Sequence, residues 1–586
     1  MKKLLVLLIL IGSQIHSKAQ AILDTDSIVL SMYNPVTREF EAYNANDYLF
    51  SKDFGSLTLG NFGQQTLLLS EVDFRLDPVR FGAATFLAEQ PFLIKSNKTF
   101  SQIAFSNTLN EGALFRATVA RPINENWLAS IVFDRNNTVG QYQRETVSSN
   151  YANFAIARLN DTLDLQFLMS ASIGTLKRQV NGGISTPDIF ESNSVTNREL
   201  MAVNLQAAEQ KLHLLDVKVS SPYIIYRAID SSAKFNHTVT PSLSVKRTYF
   251  TYLDNDPLSG FYQSINIDSS KTLDSNAFEN IAGQIDYKID NKNGELEVGV
   301  KWQKENTYQG YTNRQEWIQG IIQATKNIGE GELALKSQFN IGKVKGHIVD
   351  LDFMHPINKK LKVRMRLNNT TSRNVPYLYK YVDNHNSWKS PWLNPQQSSW
   401  NIGLEKETTK FIRLKSVKYT NRLFYNVDAD LQQMSKTESL WQITAKWDWD
   451  ISKLNFATQL VYHPNIASEP LLGLPEVVLK STLIYSDNVF KGALPFRLGA
   501  QFSGFSKYYA KSYNPSLNNF YLQEDFKTPF YPYLDVFLEL QIKSAFLKIQ
   551  YEHLSQGITS YNYYINSAYV RPDRSLLFSV QWNFVN

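Results

Sequence analysis

LDVFLELQIK, residues 534–543, sets Leu534, Val536, Leu538, Leu540 and Ile542 on one side of an extended chain and Asp535, Glu539, Gln541 and Lys543 on the other. A period of two marks a strand with two unlike faces, and a tilted strand crosses the apolar core of a bilayer in about 9 to 11 residues. The same alternation recurs at Leu296, Val298, Val300 and Trp302, at Leu333, Leu335, Phe339 and Ile341, at Leu361, Val363, Met365 and Leu367, and earlier at Leu163, Leu165, Phe167 and Met169. The last instance, Leu576, Phe578, Val580, Trp582 and Phe584, lies at the C-terminal end. A soluble sandwich alternates too, so the connections between segments decide. From about Ala277 they run short and long in turn: HPINKK from His355, DISK from Asp450 and KS at Lys543 are short, whereas 370–397, 464–475, 505–531 and 554–573 are long. Short turns on one side and long loops on the other belong to transmembrane barrels. GKVK at Gly342 is short where a long connection is due, and before Ala277 the alternation slips out of phase. The expected fold is all-β: a closed, antiparallel, up-and-down transmembrane β-barrel of about 22 strands, within a range of about 18 to 26, an even number as bacterial barrels require.

Composition agrees. The 586 residues are 43% hydrophobic and 13% aromatic, and none is Cys, which excludes disulfide scaffolds, thiolate metal sites and Cys nucleophiles. Mean hydropathy is −0.30, the value of a water-soluble chain, but alternating strands cancel in such an average. MKKLLVLLILIGSQIHSKAQ reads as a secretory signal cut after Ala19, with a basic start, an apolar stretch Leu4 to Ile11, and Ser17 and Ala19 at the cleavage positions. Half of the formal net charge of +6 leaves with Lys2, Lys3 and Lys18 of that leader, so no nucleic-acid partner is expected. The predicted organisation is a signal peptide over 1–19, an irregular periplasmic or lumen-facing lead-in over 20–77, and an outer-membrane barrel over 78–586.

Particular motifs add a family. YNP at Tyr33, LGNFG at Leu59, GQYQRE at Gly140 and NGGIS at Asn181 precede a C-terminal region in which the aromatic strand YPYLDVF is followed by a Lys-containing tight turn, by K-x-x-Y-E-H at Lys548, and by the final W-x-F at Trp582. This pattern resembles the large β-barrel porin family of Bacteroidota over most of the mature chain, with Val585 and Asn586 following the terminal aromatic. The resemblance implies an outer-membrane porin with passive transport.

Candidate chemistry is sparse. His347 and His355 share a face with Val349, Leu351 and Phe353, about 26 Å apart at ~3.3 Å per residue, a spacing that suits two interfacial girdles and not one metal site. Asp350 and Asp352 turn to the lumen, as do Lys362, Arg364 and Arg366 on the next strand. Pairing about Asn358 sets Asp350 opposite Arg366 or Arg364 and Asp352 opposite Arg364 or Lys362. These five are the expected lumen-lining charges, of mixed sign, bordering the solute path. Leu576, Phe578, Val580, Trp582 and Phe584 are the expected C-terminal signal for the barrel-assembly machinery. Tyr377, Tyr379, Tyr381, Trp388 and Trp392 in one loop, and Tyr508, Tyr509, Tyr513, Phe520 and Tyr521 in another, are read as a packed lid, with sugar stacking or inward folding that constricts the pore as the alternatives. With no G-x-S-x-G elbow, P-loop or dinucleotide fingerprint, no enzyme activity, cofactor or metal is expected. The expected function is passive diffusion of small hydrophilic solutes through a mixed-charge lumen in the outer membrane. The alternative is a non-conducting scaffold or receptor barrel.

Overall fold

The computed structural model describes residues 30–34, 39–42, 54–71, 93–160, 165–195, 197–226, 235–258, 260–309, 312–373, 380–406 and 410–585. The signal peptide and much of the lead-in lie outside them. Twenty-two antiparallel strands form one closed ring, beginning with Phe100–Asn107 and closing where Ser575–Val585 pairs with it, Ser579 opposite Ser106 and Val585 opposite Phe100. Closure leaves no unpaired edge, the condition for a sheet surrounded by lipid.

The strands form because alternate residues solve two problems at once. Ile285, Val300, Leu367, Ile412 and Leu498 stand exposed on the outer face, where lipid would cover them, while their polar neighbours turn inward. Ten connections lie at the end where the first strand begins and the last ends, several of them as tight as 291–294, 451–454 and 542–545; the opposite, loop end carries the long ones. Gly342–Lys345 falls at the loop end, so its shortness breaks the length rule without breaking the up-down order.

The phase slip before Ala277 also has a cause. Ala208–Ser220 and Tyr223–Tyr226 pair with the single strand Asn236–Asp254 in one register across the break, Ser220 opposite Ser242 and Tyr223 opposite Val239, with a shift only between Ile224 and Tyr226. Pro222 has no N–H to give and interrupts the ladder, so one strand reads as two. The wall begins at Phe100 rather than at 78, because Ile94–Ser96 pairs with Leu30–Asn34 in a small separate sheet that also includes Glu39–Ala42. That sheet is inside the terminal end: Leu93 is buried among Leu128, Ala155, Ala157, Leu159 and Leu168, and the Ile94 N–H donates to Ser130 Oγ at 3.2 Å.

Candidate functional site

The segment Phe54–Glu71 folds as a short hairpin, Ser56–Thr58 against Thr66–Leu68, and crosses the barrel interior under the loops. Its base is held where Gln442 Nε2 donates to the Ser70 carbonyl at 2.9 Å. Its tip, LGNFG, is held by the opposite wall. Asn61 Nδ2 donates to Thr138 Oγ1 at 2.8 Å and to the Glu145 carbonyl at 2.9 Å, and Asn136 Nδ2 donates to the Phe62 carbonyl at 3.0 Å. Arg178 and Gln442 stand on strands eleven apart in the ring of twenty-two, so the hairpin spans a diameter.

Arg178 is the centre of the tip contact. Its side chain is fully buried, and it donates to Gln210 Oε1 at 2.6 Å, to the Gly63 carbonyl at 3.0 Å and to Asn518 Oδ1 at 2.7 Å. Thus one guanidinium ties the wall, the hairpin and the inward loop 506–532 together, and among the described residues no carboxylate pairs with it. Five fixed N–H groups allow this three-way hold; a Lys would offer a single point. Gly63 must be glycine twice over: its φ is +86°, and a Cβ there would stand 3.7 Å from Val147 Cβ and closer still to Val147 Cγ1.

Beside the tip, the Glu145 carboxylate accepts the N–H groups of Gln141 and Tyr142, both at 3.1 Å. Burial pushes its pKa up to about 7, against those stabilising N–H bonds. An added Cβ at Gly60 would strike this carboxylate. Apolar packing completes the closure. Leu57, Leu59, Leu67 and Leu69 are buried in one core with Val147, Leu176, Leu212, Phe250, Val461 and Val478 of the wall and with Tyr508, Tyr513 and Tyr569 of the loops. The interior at the loop end is therefore occupied by the hairpin and the inward loops. Outside it, Tyr381 stacks on Trp388 at 4.4 Å and Trp388 meets Tyr425 edge-on at 6.0 Å, with Trp392 and Tyr521 packed alongside. The rings pack on one another as a lid; Tyr377 and Tyr379 lie outside the described residues, and Tyr509 stays exposed.

The wall toward the terminal end is different. Asp352 stands directly opposite Arg366, and Asp350 opposite Asn368, two residues away from the register set by pairing about Asn358. The hairpin turns one residue later, with an irregularity between Pro356 and Asn358. The expected ion pairs nevertheless form diagonally, Arg364 to Asp352 at 2.5 Å and Arg366 to Asp350. Lys362 lies opposite Glu405, which takes its bond from Arg413 at 2.8 Å. The two arginines stay accessible, Arg366 with 53% of its side chain exposed, while Asp350 and Asp352 are largely covered. His347 bonds Asn369 at 2.7 Å and His355 stacks along Phe353, the two at opposite ends of one strand. Leu576, Phe578 and Trp582 are exposed on the outer face of the closing strand.

The chain matches the profile of a family described as "Putative porin" over residues 16–586. It belongs to that family. No curated protein sequence matches this porin-family chain, but solved structures do. A variant of the ferric enterobactin receptor PfeA from Pseudomonas aeruginosa superposes with TM-score 0.57 and 12% identity, over 83% of this chain and 80% of that one. The siderophore receptor PirA from Acinetobacter baumannii gives 0.57 and 10% over 83% and 81%, and FpvA of P. aeruginosa gives 0.55 and 12% over 85% and 72%. At such identities the likeness is one of fold. Sequence reading assigned no role to Arg178, Glu145 or Asn518. The available signal was that LGNFG, GQYQRE and NGGIS stood out together; in the fold they meet, with Asn181 Nδ2 donating to the Gln143 carbonyl at 3.1 Å.

Proposed function

We propose that this porin-family barrel lies in the outer membrane, termini toward the periplasm and loop end outward, and passes small hydrophilic solutes passively once the Phe54–Glu71 hairpin has shifted. The observation that carries the reading is the core around Leu57, Leu59, Leu67 and Leu69, which shuts a lumen too wide for wall side chains alone to fill. Below it, ion-paired walls offer a wet, polar path. The apolar belt meets lipid, and the outer face of Ser575–Val585 serves the assembly machinery. Deleting 582–586 is expected to abolish membrane insertion while export continues, read by fractionation.

The closure is tested by locking it. A disulfide can be engineered into the Cys-free chain at Gly63→Cys with Val147→Cys: the second change removes the Val147 Cγ1 clash, the Cβ separation of 3.7 Å falls in the bonding range of about 3.5–4.5 Å, and the cost is a Cys at φ +86°. In planar bilayers the wild type should open rarely, the oxidised pair not at all, and the reduced pair, with Gly63→Ala as control for backbone strain, at least as often as wild type. Steady conductance of the oxidised pair defeats the gate. The second reading, a receptor barrel, draws on the fold likeness to siderophore receptors, and silence of every variant would favour it.

A further inference from the structure

Between the hairpin and the wall lies a cavity of about 310 Å³, at the small end of ligand-site volumes. Leu57, Leu69 and Phe54 of the hairpin face Leu114, Val478 and Phe505 across it. Its acids are engaged. Asp134 is held by Arg116 at 2.5 Å, Asp535 accepts the His553 N–H at 2.9 Å, and Glu552 accepts from Gln550 at 3.2 Å. Arg571 faces the charges of Asp535 and Glu552 but is bonded to neither. Its guanidinium lies 4.3 Å over the Tyr533 ring and lines the cavity, and among the described residues its side chain makes no hydrogen bond or ion pair. Three other deeply set arginines at this end have acceptors: Arg178 has Gln210, Gly63 and Asn518, Arg198 has Asp573 at 2.9 Å, and Arg422 has Glu438 at 3.2 Å. A half-buried planar cation with its donors unspent, set in an apolar wall, is suited to a planar anion that takes two parallel N–H bonds.

We infer that this cavity binds a small amphipathic monocarboxylate, its carboxylate on Arg571 and its apolar body among Leu57, Leu69, Leu114 and Val478. The inference deepens the transport reading by naming a solute class, but binding needs no opening of the gate. The cavity has hairpin on one side and wall on the other, so an occupant would be released when the hairpin shifts.

The test uses the full chain in lipid nanodiscs and calorimetric titration with phenylacetate, against phenethylamine and benzyl alcohol as cationic and neutral analogues. Phenylacetate should bind saturably, the two analogues should not, and Arg571→Met should weaken phenylacetate at least tenfold. Leu114→Trp fills the apolar side with Arg571 intact and should weaken it equally, while both variants keep the heat-modifiable mobility of a folded barrel. Absence of saturable phenylacetate binding by the wild type, equal binding of phenethylamine, or undiminished binding by folded Arg571→Met would each overturn the assignment. Bilayer silence with phenylacetate binding intact would defeat the transport reading and leave the site standing.

Discussion

Arg178 and Arg366 are the same residue type facing the same interior, and they are used in opposite ways. Arg366 pairs with Asp350 on the neighbouring strand and keeps half of its side chain accessible; its charge is cancelled within the wall. Arg178 is wholly buried and bonded to neutral oxygens from three parts of the chain. A charge cancelled locally lines a wet surface, whereas a charge satisfied only by distant acceptors makes its site depend on those segments being in place. Charged hydrogen bonds contribute about 1.5–3 kcal/mol each, and orphaned buried acceptors cost about 1–3 kcal/mol. An exposed ion pair contributes about 0–1 kcal/mol. The loop end should accordingly respond to single substitutions and the terminal-end wall should hardly respond.

The largest effect is expected at Arg178→Met, which keeps the stem and strips the donors from Gly63, Gln210 and Asn518. The closed hairpin should lose several kcal/mol, and bilayer recordings should show open time rising about a hundredfold or more, as roughly 3 kcal/mol implies. An unchanged open fraction would erase the contrast with Arg366. Next is Leu59→Ala, at 2% exposure in the cross-lumen core. It should weaken hairpin docking by about 2–5 kcal/mol, seen as faster labelling of a Cys placed at Ser56, while the barrel's melting hardly moves.

A smaller, pH-dependent effect centres on Glu145. Its pKa is raised by burial to about 7 from the ordinary 4.5, so ionisation opposes the packed state. The closure is then fully stable below the ordinary value, and the cost grows as pH rises from about 4.5 to 7 and is constant above that. Opening should increase by up to about tenfold per pH unit between about 4.5 and 7, level off above 7, and be flat in Glu145→Gln; opening that increases as pH falls would contradict the assignment. The smallest effect belongs to Arg364→Glu with Arg366→Glu, made in the opened Arg178→Met background. Reversal potential should move toward cations at 0.01 M salt, where screening acts over about 30 Å, and hardly at 1 M, where it acts over about 3 Å. An equal shift at both would place these residues at the narrowest point, against their exposure.

Alternation by itself determined the wall. Which face a strand residue occupies depends only on its parity along the chain, and each strand's partner is its neighbour in sequence, so barrel and strand number could be read without coordinates. Even there, a one-residue change in the turn near Asn358 moved the register by two, because hairpin geometry is set by local backbone and not by parity. What only the tertiary structure decided is the closure. Asn61 meets Thr138 across 77 residues, Gly63 meets Arg178 across 115, and Arg178 meets Asn518 across 340. No periodicity encodes such contacts. They exist because twenty-two strands closed into a ring bring opposite walls within reach of one short hairpin, and a buried arginine with no acid partner among the described residues must find its acceptors on whatever that ring encloses.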